Sequence, residues 1–312
     1  MKFVIPAASY DVDVGGIIVV HKLCHLLNEL GFEAYLYPVL VNDKVLARRL
    51  FARTSNAIPA IKRLTGKGFV TNPEFNTPLL SIASATKKPG TIAIYSETIE
   101  GNPLAVQHIV RWFLHRPGFH TGKSEFGTGE FHVDFNEFLN GYDPGENFLA
   151  PESLMVVHFP IDIYNLDGAI PQSERTEIAY CVRKGELKPG VIDPETAICI
   201  DGLSHTECAK VLKRSKLFVS FDPYTAYSSF AALCGASSLV VPPEGMTRAD
   251  WYQDEGASFG IAFGEDDLER ANATRERVLP YLLEKEARSR DRVASFAAQA
   301  GKYFSLVSNA QA

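Results

Sequence analysis

Short apolar runs alternate with helically spaced stretches along this chain, and their order predicts its elements. Lys2 to Pro6 reads as a buried strand, with residues 3–6 its body. A polar loop with Asp11, Asp13, Gly15 and Gly16 follows. Apolar residues then recur at Ile17, Val20, Leu23, Leu26, Leu27 and Leu30, one face of a helix. Gly31 stops that helix, and residues 34–37 read as the next strand. Strand, helix and strand in that order is the grammar of a parallel sheet. Residues 91–95 and 154–159 read as further strands. Residues 102–114 read as a helix opened by Asn102-Pro103, and residues 117–151 as an irregular excursion.

A second series of strands covers residues 177–182, 197–201, 217–221 and 239–241. The helix over 204–214 opens with Ser-His-Thr-Glu, in which Ser204 and Glu207 can satisfy each other's backbone donors. A final charged helix runs from residue 267 to about 306, with a break near Pro280. The pattern predicts an α/β chain in two domains, residues 1–160 and 161–312, a division that suits 312 residues.

The stretch from Ser220 to Gly245 carries the most chemistry. The strand ending at Phe221 runs into Asp222-Pro223 and then a hydroxyl-rich turn with Tyr224, Thr225, Tyr227, Ser228 and Ser229. A small-residue helix, 230–234, stops at Gly235, and Pro242-Pro243 closes the following strand. Hydroxyls and backbone N–H groups thus gather where a helix begins, which is where α/β sheets bind phosphates.

Hydrophobic and charged fractions of 46% and 22% are those of a soluble globular protein. No apolar run reaches the roughly 18 residues of a membrane span. The opening MKFVIPAASYD has too short an apolar region for a signal peptide. Five cysteines, at 24, 181, 199, 208 and 234, lack metal-type spacing and lie in or beside apolar segments. Buried free thiols in a reducing, cytoplasmic compartment are expected.

Three constellations are candidates for function. Arg183 and Lys184, followed by Gly185 and Lys188, lie just past a strand, where cations can meet a phosphate or form a solvated loop. Glu97 follows the strand 91–95, where a carboxylate can orient a hydroxyl or stabilise developing positive charge. His108 and Arg111, three apart on the expected helix, read as a surface pair. Between residues 44 and 67 lie Arg48, Arg49, Arg53, Lys62 and Arg63 with no acid among them, in a chain of net charge −6. That surface suits an anionic membrane or a lipid-diphosphate, or is an amphipathic helix pair with a solvated basic face. No nucleic-acid motif accompanies it.

The strand ending in Asp222, the helix stop Ala231-Ala232-Leu233-Cys234-Gly235 and the early Gly15-Gly16 loop resemble the donor-binding core of GT-B glycosyltransferases, in particular the retaining family 4 and its relatives. Phe230 departs from that pattern, because a Glu eight positions after the first acid usually holds the donor ribose. The resemblance implies two Rossmann-like domains facing across a cleft, with the C-terminal helix crossing back to the first. It implies sugar transfer from a nucleotide diphosphate-sugar to a saccharide or lipid-linked acceptor in glycan synthesis, without a metal or cofactor. Arg183, with Lys184 or Lys188, would neutralise the diphosphate beside Gly15, Gly16, Tyr224, Thr225, Ser228, Ser229 and Phe230. Asp222 would contact the sugar and Glu97 would face the acceptor. The departure at Phe230 leaves open a module that binds saccharide or nucleotide without transfer; an epimerase or hydrolase of the same fold is the other alternative. Localisation is expected to be cytoplasmic, with peripheral contact to an inner membrane face.

Overall fold

The computed structural model describes residues 1–39, 68–80, 90–136, 138–252 and 254–310. The chain divides into two units, Met1–His158 with Glu286–Ala312, and Phe159–Lys285. Each unit is built on one parallel sheet.

The first unit contains β1 (Lys2–Ala7), α1 (Gly15–Glu29), β2 (Glu33–Pro38), β3 (Thr91–Ser96), β4 (His108–Phe113), β5 (Phe131–Asp134) and β6 (Phe148–Leu149). The strand order is β2-β1-β3-β4-β5-β6. β1 is buried at every position, as a parallel strand covered on both faces should be. Its pairing with β3 ends at Val4, so Pro6, which has no N–H to give, is accommodated in the strand. On one face of the sheet Phe3, Ile5, Ile94, Val110, Trp112 and Phe131 share one core with Leu23 and Leu27 of α1. On the other face Val4, Ala93 and Tyr95 are covered by Ile99, Leu104 and Val106 from the connection between β3 and β4.

That connection corrects the expected helix over 102–114. Residues 108–113 are rich in β-branched and aromatic side chains, and they form β4, paired in register with β3. Asn102 is a turn residue instead of a helix cap. Its Oδ1 accepts from the Val106 N–H at 3.2 Å, and its amide donates to the Val106 carbonyl at 2.7 Å. The supposed surface pair is also corrected, since His108 and Arg111 are both buried. The segment 117–151, expected to be irregular, supplies β5 and β6. Residues 154–159 form no strand, although Leu154 and Val156 are core residues.

The second unit contains β7 (Glu177–Cys181), β8 (Ile198–Cys199), α2 (His205–Leu212), β9 (Ser215–Ser220), α3 (Tyr227–Leu233), β10 (Ser237–Val240), α4 (Arg248–Trp251), β11 (Ile261–Phe263) and α5 (Leu268–Thr274). Its sheet runs β11-β10-β9-β7-β8. The expected capping box at α2 is present, with the Ser204 N–H donating to Glu207 Oε2 at 2.9 Å. Four cysteines are buried; Cys199, on the edge strand β8, is exposed and corrects the expectation for that position.

The last helix, α6 (Val278–Ala310), starts after a single 3-10 turn, Arg275–Arg277. Pro280 lies in its first turn, where a missing N–H costs nothing. Val278 and Leu282 pack with Phe259 of the second unit. Further along, Val293, Phe296, Ala297, Ala300 and Phe304 form a helical stripe in the core of the first. Among the described residues no helix is long and apolar enough to cross a membrane.

Candidate functional site

In open parallel sheets, ligands bind outside the carboxyl ends of the strands, where the strand order reverses. Both sheets have such a point. In the first the chain goes one way from β1 to β2 and the other way to β3; in the second it goes from β7 to β8 on one side and to β9 on the other. The residues that follow β7 and β9 are Arg183 and the hydroxyl-rich turn. Those that follow β1 and β3 are Gly15-Gly16 and Glu97.

The loop after β7 is shaped by Asp201. Its Oδ2 accepts from the Val182 N–H at 2.8 Å and from the Arg183 N–H at 3.2 Å. Arg183 takes φ 50°, an uncommon conformation for a side chain other than Gly. Gly185 then passes so close to the strand-end backbone of β9 that an added Cβ would overlap the Phe221 carbonyl. The two loops are thereby fixed against each other. The Arg183 guanidinium is exposed and stands over the Tyr227 ring, 5.0 Å from its centre. Lys184 is exposed. Lys188 is half-buried and donates to the Pro242 carbonyl at 2.6 Å.

After β9, Asp222 is buried and its Oδ1 accepts from the Tyr224 N–H at 3.0 Å. This is the short Asp-led turn that its side chain favours. Thr225 Oγ1 accepts from the Tyr227 N–H at 3.4 Å. Ser228 is buried with no hydrogen-bond partner for its Oγ among the described residues; Ser229 is half-buried. Tyr224 is exposed, and its hydroxyl donates to the Trp251 carbonyl at 3.2 Å. Phe230 does not join this surface. It is buried and stacked on Tyr164, with centroids 4.3 Å apart at 11°, which corrects its expected place beside a ligand. A side chain one turn into α3 on the face of Ala231 and Cys234 points into the core.

In the first unit, Gly15 and Gly16 form the first turn of α1. Neither has positive φ, and a Cβ at either would meet nothing within 4 Å. The fold itself does not ask for glycine there. Glu97, at the end of β3, is buried and its Oε2 accepts from the Leu114 N–H at 3.0 Å. Burial raises its pKa, against the lowering effect of backbone N–H bonds from Glu97, Leu114 and His115. Arg48, Arg49, Arg53, Lys62 and Arg63 lie outside the described residues.

Sequence reasoning missed Asp201 as the organiser of the Arg183 loop. Its position at the end of the strand expected over 197–201 was the available signal.

No protein-family model and no curated protein matches the chain. Among solved structures it is similar to the glycosyltransferase of kitacinnamycin, at 10% identity over 97% of this chain and 98% of that one, TM-score 0.41. It is similar to the glycosyltransferase SnogD from Streptomyces nogalater, at 14% over 96% and 99%, TM-score 0.37. It is also similar to T4 phage β-glucosyltransferase, at 10% over 99% of both chains, TM-score 0.39. Likenesses at this level carry no chemistry across to this chain.

Proposed function

We propose that the chain is a GT-B-type glycosyltransferase that moves a sugar from a nucleotide diphosphate-sugar to a saccharide or lipid-linked acceptor. One observation carries the reading. The cation Arg183, from the loop after β7, stands on Tyr227 at the start of α3, after β9, at the reversal of the second sheet. A diphosphate bound there meets a guanidinium fork that can contact two oxygens at once. Beside it lies Ser228, whose buried hydroxyl has no hydrogen-bond partner among the described residues. In this reading side-chain charge takes the part that a metal would take. Asp222, with Oδ1 committed to the turn, offers its other oxygen to the sugar. Glu97, whose raised pKa brings it nearer to a working base, takes the acceptor proton or orients the acceptor hydroxyl. Retention at the anomeric carbon rests on the sequence resemblance alone. The core position of Phe230 removes the second acid of that pattern, and it favours as runner-up a module that binds nucleotide without transfer.

Calorimetric titration with UDP, GDP and ADP tests the reading. One of them should bind, and Arg183→Ala should weaken it by about 1.5–3 kcal/mol, the worth of a charge-assisted hydrogen bond. Unchanged affinity in the variant would remove Arg183 from the site. Nucleotide binding without consumption of any nucleotide-sugar would select the non-transferring module.

A further inference from the structure

A single exposed Phe is ordinary on a protein surface. Phe119 is not an isolated one. It is 66% exposed, and its ring stacks on His115 with centroids 3.9 Å apart at 26°. His115 stacks in turn on Phe138 at 5.1 Å and 12°. Phe138 lies parallel to Phe135 at 6.5 Å, and Phe135 leans on Trp112 in the core of the first unit. A column of rings therefore runs from the buried sheet to the surface, and Phe119 is its outer end.

Both loops that build the column are held by hydrogen bonds. The loop after β4 is tied at its start by the Leu114 N–H to Glu97, and its tip by Phe119 N–H to the Arg116 carbonyl at 3.1 Å and Gly122 N–H to the Gly118 carbonyl at 2.7 Å. Gly118, at φ 80°, supplies the left-handed residue that this tight tip needs. The loop after β5 is tied by Phe138 and Leu139 N–H groups to the Asp134 carboxylate, both at 3.1 Å. Phe119 is thus presented at the carboxyl edge of the sheet on an ordered support. His120 stands edge-on to it at 4.9 Å, and Arg116 is exposed on the same loop.

We propose that the outer face of Phe119 is a stacking platform for a pyranose ring, and that this ring is the acceptor's; the second clause rests on the transfer reading above. An aromatic face is electron-rich and attracts slightly positive C–H groups, which one face of a pyranose presents. Its hydroxyls then reach the rim, where His120 and Arg116 supply hydrogen bonds. A wholly apolar ring would desolvate that rim with nothing in return.

The test is saturation-transfer NMR on the full chain without nucleotide, with methyl glucoside, mannoside, galactoside, N-acetylglucosaminide and maltose as probes. At least one should bind through its axial C–H protons. Phe119→Ala should weaken it about two- to tenfold, the worth of one aromatic stack, and Phe119→Trp should keep it. No binding by any probe, or unchanged binding in Phe119→Ala, would overturn the platform. So would uridine or p-nitrophenol binding at Phe119 where the sugars do not. Arg183→Ala should leave sugar binding as it is. If sugars bind Phe119 and no donor is consumed, the transfer reading falls and the platform stands; if the donor is consumed and no probe binds, the reverse holds.

Discussion

Arg111 and Glu130 face each other inside the first unit, their side chains 0% and 2% exposed, with Nη2 2.8 Å from Oε1 and Nε 3.0 Å from Oε2. The guanidinium also donates to the carbonyls of Ile99 and Gly101, and Glu130 Oε2 lies 3.3 Å from His132 Nε2. The network pins the connection that covers one face of the sheet in place of a helix. Burial raises the Glu130 pKa, but the hydrogen bonds from His132 and Arg111 and their charge bring it below the usual carboxylate range.

Arg111→Ala should therefore cost about 3–5 kcal/mol, because it strands a buried carboxylate. Hydrogen exchange at the amides of β4 and β5 reads this directly. A loss under about 1 kcal/mol, typical of an exposed pair, would mean that the network is open to water.

Phe230→Glu should destabilise the second unit by several kcal/mol, since the new carboxylate would replace a ring stacked on Tyr164. The melting temperature should fall, and nucleotide affinity of the folded fraction should not improve. A variant that melts like the parent and binds nucleotide more tightly would place Phe230 at the ligand after all.

Gly185→Ala acts through space alone, because the position needs no positive φ yet has no room for a methyl group beside Phe221. Overpacking of this kind costs typically about 1–3 kcal/mol. It should also push Arg183 away from Tyr227 and weaken nucleotide binding. Full stability and affinity in the variant would show that the loop moves aside freely.

Lys22 Nζ and His158 Nδ1 both lie against Glu286 Oε1, at 2.7 and 3.0 Å. Burial, the largest single influence, raises the Glu286 pKa, yet the hydrogen bonds and charge of His158 and Lys22 outweigh it and bring it from 4.5 to about 2. With the folded value below the unfolded one, the stabilisation is full above 4.5 and is lost as pH falls through that value towards 2. Glu286→Gln should thus be less stable than the parent at neutral pH. The gap should close below pH 4.5, as urea unfolding at stepped pH would reveal; a gap constant with pH would contradict the ion-pair account.

Four strands of the second sheet were legible because they are short apolar runs closed by Asp-Pro, Gly or Pro-Pro; the fifth, β11, is only three residues long and was missed. The first was legible only as far as β3. Asn102-Pro103 is a sound helix start, and His108 and Arg111 fit helical spacing. The β-branched and aromatic residues from 108 to 113 compete with both, and the pairing with β3 decides it. β5 and β6 are brief and sit among glycines, where no periodicity can accumulate. Of the candidate site, Arg183 and the hydroxyl turn were readable because each follows a predicted strand. Asp201's grip on the Arg183 loop and the fit of Gly185 against Phe221 were not, because each joins segments that only the sheet brings together. The ring column suffers most, since its members come from one strand and two loops.

The second unit is one continuous stretch of chain, whereas the first is closed by a stripe on α6 that begins seven residues past its re-entry at Glu286. During synthesis the second unit can complete its core while the first still waits. Its sheet has strands but lacks Val293, Phe296, Ala297, Ala300 and Phe304, and apolar surface stays open to water until they arrive. The N-terminal half is thus the last to be finished, and the growing chain is most exposed to chaperones and to aggregation at the end it made first.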